Sequence, residues 1–176
     1  MSEPAKEQSM QDQSGSFEGR QAFSSAISQA IAWAAEQGCR EVFWLDRSFA
    51  DWPLSDAAVL AHLRQWAQPG RRLHLLAEQY DDVARRHPRF VQWRARYGHC
   101  VHARALDEPG LPPGTRHQAL LIVKGAAGQL GLRLFDQGHW RGHISLDRAE
   151  VQALSEEFDA SLQRSYESFG SRTLGL

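Results

Sequence analysis

The sequence predicts an α/β domain, a mixed β-sheet flanked by helices, and three observations carry that expectation. Stretches with apolar residues at three- and four-residue spacing alternate along the chain with short, nearly continuous apolar runs, so helical and strand patterns succeed one another. Two later runs are joined only by Gly125-Ala126-Ala127-Gly128, a hairpin signal that makes part of the sheet antiparallel. The 176 residues, 42% of them hydrophobic, suffice for one core and are too few for two comfortable ones.

Residues 1–16 are rich in Ser, Gln and Glu and cannot bury enough apolar surface to offset their ordering entropy, so a disordered tail is expected there. The domain is expected to span 17–176. From Gly19 to Gln37, Phe23, Ile27, Ala30, Ile31 and Ala34 recur at helical spacing, and Gly38 ends the helix. Glu41 to Leu45 is apolar at nearly every position, as a central strand with both faces covered should be. Asp46 follows at its carboxyl end, where open α/β sheets place functional groups and where aspartate is also an ordinary turn residue. Ser55 is expected to cap a helix running to about Ala67, with Leu54 and Val59 as a hydrophobic staple and Pro69-Gly70 as the stop. Arg71 to Ala77 predicts the next strand. Tyr80 to Tyr97 predicts a helical region that must bend near His87-Pro88, because proline drives its predecessor out of the helical conformation. His99 to Ala105 follows as a strand. Beyond a Pro- and Gly-rich loop, strands 118–124 and 129–135 make the hairpin, and a strand at about His143 to Leu146 leads into a last helix. That helix, Arg148 to Arg164, carries Val151, Leu154, Phe158 and Leu162 on one stripe.

Composition narrows the function classes. A net charge of −1 and a pI near 6.7 argue against a dedicated polyelectrolyte binder, although 18 of the 20 basic residues are arginine. Cys39 and Cys100 belong to no C-x-x-C pair, which removes thioredoxin-like and structural zinc motifs. The first sixteen residues hold no apolar stretch and no later run is long enough to span a bilayer, so a cytoplasmic protein without a membrane partner is expected.

Residues 116–125 read Arg-His-Gln-Ala-Leu-Leu-Ile-Val-Lys-Gly. The segment resembles the H-x-K-x-x-x-x-D signature of the phospholipase D superfamily, whose apolar run and closing glycine it keeps. His117 stands at the histidine position, Ala119 at the lysine position and Lys124 at the aspartate position. In that family the histidine attacks phosphorus or protonates the leaving group, and the lysine supplies charge to a phosphoryl oxygen. Ala119 can do neither. The resemblance covers residues 17 to about 165, including a last helix in which Phe158 is spaced as in the family's F-x-x-x-W, with Leu162 in place of the tryptophan. Where active members carry G-S-x-N, this chain reads Arg141-Gly-His-Ile-Ser145, and it contains no asparagine. The strings Asp46-Arg-Ser-Phe-Ala-Asp-Trp-Pro-Leu-Ser55, His87-Pro-Arg-Phe-Val-Gln-Trp-Arg94 and Thr173-Leu-Gly-Leu176 are also similar to a family of short bacterial proteins that carries no assigned activity.

The resemblance implies a single phospholipase D-like module that has lost its catalytic pair and acts by binding or scaffolding. Because active members combine two motif copies, it also implies a homodimer that brings two His117 side chains together. The alternative is a phosphodiesterase or nuclease that uses His117 with charge supplied by Arg116 or Lys124.

Independently of the motif, residues 85–104 contain no acid, and Arg85, Arg86, Arg89, Arg94 and Arg96 are interleaved with Phe90, Trp93 and Tyr97. Arginines beside aromatics suit a phosphate-containing ligand or nucleic acid, since guanidinium pairs with phosphate and rings stack on bases. The same pattern fits a solvated helix face whose aromatics point to the core. His139 and His143 would share a helix face, but the flanking Gly138 and Gly142 argue for a turn or strand and no third ligand lies nearby, so neither a metal nor a cofactor is expected.

Overall fold

The computed structural model describes residues 14–106 and 118–168. Its strands are β1 (Gly15–Phe17), β2 (Glu41–Asp46), β3 (Arg72–Ala77), β4 (Val101–Leu106), β5 (Leu120–Gly125), β6 (Gly128–Asp136), β7 (Arg141–Ser145) and β8 (Ser165–Glu167). Its helices are α1 (Arg20–Glu36), α2 (Ala57–Trp66), α3 (Asp81–Arg86), α4 (Pro88–Arg96) and α5 (Arg148–Leu162). The strands form one mixed sheet in the order β1-β7-β6-β5-β2-β3-β4-β8. β2, β3 and β4 run parallel, linked by helical crossovers, and every other pairing is antiparallel.

Strand alternation divides the core between two faces. Val42, Trp44, Leu73, Leu75, Leu121, Val123 and Leu132 pack beneath α1, α2 and α4. Leu45, Leu76, Leu120 and Ile122 meet Val151, Leu154 and Phe158 of α5 on the other side. α5 approaches closely because β6 carries Gly131 under it, where a Cβ would sit 2.7 Å from Leu154 Cδ1. The expected hairpin is present, with Gly125 paired to Gly128 across Ala126-Ala127.

Several expectations shift. Gly15 and Ser16, assigned to the tail by composition, pair with Ile144 and His143, so the sheet begins before Phe17. Gly142 lets the Phe17 ring lie against β7. Residues 1–13 lie outside the described residues. Asp56, not Ser55, caps α2, its carboxylate accepting from the Ala58 and Val59 amides at 2.8 and 3.3 Å. Proline breaks the 80–97 region as expected, and α3 ends before His87 while α4 starts at Pro88. The segment Gly98–Cys100 is a 3-10 turn, so β4 starts two residues later than expected. β8, three residues against β4, was too short to leave a periodic signal.

Candidate functional site

Two regions carry the candidate residues, and they lie apart on the fold. The first is the motif end of the sheet, at the carboxyl ends of β2 and β3. His117 and Arg116 lie outside the described residues, but the strand they lead into is defined. Ala119 is 1% exposed and belongs to the core beneath α1, and its carbonyl accepts from the Leu134 amide at 2.9 Å. Leu45 pairs with Leu120, so the next step of the antiparallel register sets Asp46 beside Ala119. A carboxylate therefore neighbours the position where the family places its lysine.

Asp46 is held in a tight turn. Its carboxylate accepts from the Phe49 amide at 2.7 Å and the Ser48 amide at 3.2 Å. Burial nevertheless pushes its pKa up to about 6, and the charge of Asp51 adds to the rise against those amides. Arg20 engages Asp51 at 2.7 Å, and Arg47 engages Glu78 at 3.4 Å, so the nearby guanidiniums are already directed at acids. Phe49 adopts a positive φ of 55°, a costly conformation for a non-glycine residue that the Asp46 contact helps to impose.

His87 clamps the same turn from the other side. Its Nε2 lies 3.0 and 3.2 Å from the carbonyls of Phe49 and Ala50 and must donate to them, while Nδ1 lies 2.8 Å from Ser55 Oγ. This histidine is a buried strut. It cannot serve the basic segment in which the sequence places it.

Lys124 sits at the far end of β5. Ala119, Leu121 and Val123 face α1, whereas Leu120 and Ile122 face α5, and Lys124 follows the even-numbered set. Its Nζ lies 5.5 Å over the ring of Phe43, which packs against Phe158 of α5. Five positions along the strand, roughly 16 Å away, and on the opposite face, Lys124 cannot supply charge where Ala119 has removed it.

The second region is the arginine segment. Arg85, Arg86, Arg89 and Arg96 are exposed, and Arg85 pairs with Asp82 at 3.0 Å. Arg94 departs from the expectation. It is 6% exposed and points inward beside Phe90 and Trp93, on the wall of a cavity of about 620 Å³ at the β4 edge that His102, Arg104 and Glu167 also line. It therefore lines that cavity and not the surface shared by Arg89 and Arg96. In its place stands Arg64, which the sequence reading did not single out. With Leu60 of α2 it faces Arg89, Gln92, Arg96 and Tyr97 of α4 across a groove of about 350 Å³. Its position in the last turn of a helix gave no sign of its neighbours.

His139 and His143 do not converge. His139 Nδ1 lies 2.9 Å from Asp136 in the β6–β7 turn, whereas His143 on β7 lies 3.6 Å from Glu150 of α5. Among the described residues, no helix is long and apolar enough to cross a membrane.

The geometry has counterparts among solved structures. TrmBL2, an archaeal chromatin protein with a novel mode of DNA binding, is similar with a TM-score of 0.58 and 15% identity over 93% of this chain. The chain spans 61% of that protein's length. NucT from Helicobacter pylori gives a TM-score of 0.57 at 10% identity, covering 88% of this chain and 98% of its own. The phospholipase D family member Nuc from Salmonella typhimurium gives 0.51 at 9% identity, covering 78% and 88% respectively. No family model and no curated protein matches the sequence. The mixed sheet with its flanking helices is thus a phospholipase D-like fold.

Proposed function

We propose that this chain is a non-catalytic phospholipase D-like domain that binds nucleic acid through the exposed arginines of α3 and α4. The observation that carries the loss of catalysis is the buried Ala119 at the position where the family places its lysine. A phosphodiester approaching the motif end would find no ammonium where Ala119 stands, and the electrostatic stabilisation that dominates such reactions would be missing. Lys124 offers no substitute from the opposite face. Binding is supported by Arg86, Arg89 and Arg96, exposed on two successive helices whose described ion pairs involve only Arg85. The likeness to a chromatin protein that binds DNA supports the same ligand class. A homodimer joined across the motif ends and a cytoplasmic location complete the proposal.

The test has two arms. The purified protein should show no turnover above background on generic phosphodiesters and single-stranded DNA, and His117→Ala should change nothing. Turnover abolished by that substitution would establish the enzyme instead. In the second arm, DNA affinity should fall steeply with salt, as counterion release requires.

A further inference from the structure

We infer that the groove between α2 and α4 is a track for one strand of nucleic acid, with Arg64, Arg89 and Arg96 holding phosphates. This deepens the binding reading above and rests on it. The groove has two helical walls that contain no carboxylate: α2 reads Ala-Ala-Val-Leu-Ala-His-Leu-Arg-Gln-Trp and α4 reads Pro-Arg-Phe-Val-Gln-Trp-Arg-Ala-Arg. Arg64 approaches from the first wall, Arg89 and Arg96 from the second. All three are exposed, and none takes part in an ion pair among the described residues. Three guanidiniums held around one concavity without acids repel one another, and an anion between them relieves that repulsion.

The dimensions select the form of the anion. Arg89 and Arg96 are seven positions apart on one helix, a rise of roughly 10 Å, so the two guanidiniums reach different phosphates of one strand. A groove of about 350 Å³ floored by Leu60 and Trp93 admits a nucleotide and excludes the body of a duplex. Tyr97 is half-buried at the end of α4, with the Arg96 guanidinium 5.8 Å over its ring and Trp93 5.6 Å behind it. Tyr97 therefore closes the end of the groove, its ring packed with Trp93 and covered by Arg96. Gln92 adds a neutral amide to the lining, suited to a base edge or a sugar.

The experiment measures fluorescence anisotropy of a labelled oligothymidylate on the full chain from 50 to 200 mM salt. Arg64→Ala should flatten the slope of log affinity against log salt by about 0.7. In the Arg64→Ala/Arg89→Ala/Arg96→Ala triple variant, the affinity lost across that salt range should shrink by about 20-fold relative to wild type. Ultraviolet cross-linking of the same oligonucleotide should place the adduct on the peptide that carries Trp93 and Tyr97. Should the triple variant fail to fold, Arg64→Gln alone carries the slope measurement. If the variants bind as wild type while Arg85→Ala/Arg86→Ala weakens binding, the groove assignment is overturned and the nucleic-acid reading survives. Tighter binding of a duplex than of the oligothymidylate also overturns the single-strand track. No binding by wild type at 50 mM salt overturns both.

Discussion

Replacing Asp46 by Asn should make the protein more stable at neutral pH and leave it nearly unchanged in acid. The native carboxyl has its pKa raised from 3.8 to about 6, chiefly by burial. Between those values the native state holds a proton that the unfolded chain has released, so stability from this group is fully present below pH 3.8 and is lost as pH rises through 6. A change of this size corresponds to about 3 kcal/mol. Asparagine keeps an oxygen for the Phe49 amide, 2.7 Å away in the wild type, and carries no charge to desolvate. The increment of Asp46→Asn over wild type should therefore grow from near zero at pH 4 to as much as about 3 kcal/mol at pH 8. For a chain of this size that displaces the urea midpoint by about 1 M. Equilibrium unfolding followed by tryptophan fluorescence, with Trp44 and Trp52 both buried near the site, reads the increment at each pH. An increment that is flat from pH 4 to pH 8, or that grows toward acid, would refute the reasoning that burial governs this carboxyl.

Three further outcomes are expected. Sedimentation over a range of protein concentrations should reveal a dimer by mass action, and monomer alone up to high micromolar protein removes the proposed association across the motif ends. Gly142→Ala should destabilise the domain by about 1–3 kcal/mol, because the added methyl overlaps the Phe17 ring and sits 2.5 Å from the Arg133 carbonyl. Shortening Phe17 to alanine in that background should recover part of the loss, and an unchanged melting temperature in Gly142→Ala would mean that Phe17 does not dock there. Arg94→Ala should lower stability without changing the salt slope of DNA binding, whereas a flattened slope would return Arg94 to the binding surface.

Local periodicity sufficed for most of the architecture, because burial on one face of a helix or both faces of a strand writes itself into spacing over a few residues. Trp44 and Leu45 mark a strand covered on both sides, Val151, Leu154 and Phe158 mark the seam of α5, and Pro88 alone breaks the region between α3 and α4. The replacement of a motif lysine by Ala119 was equally legible, since it is a matter of residue identity. Strand alternation already separated Ala119 from Lys124 in principle, five positions and opposite parity apart, although only the packed sheet showed which helix each faces. Other features depended on distant chain segments meeting. Arg94 turns inward while Arg89 and Arg96 turn outward because α4 lies on the sheet along one particular stripe, and an arginine's identity does not reveal its side of that stripe. Arg64 joins them only because α2 packs beside α4, and Asp46 becomes costly to ionise only because β5, the 46–55 turn and His87 close around it. β1 and β8, three residues each, were invisible for the same reason: their stability comes from the neighbouring strand and not from any pattern of their own.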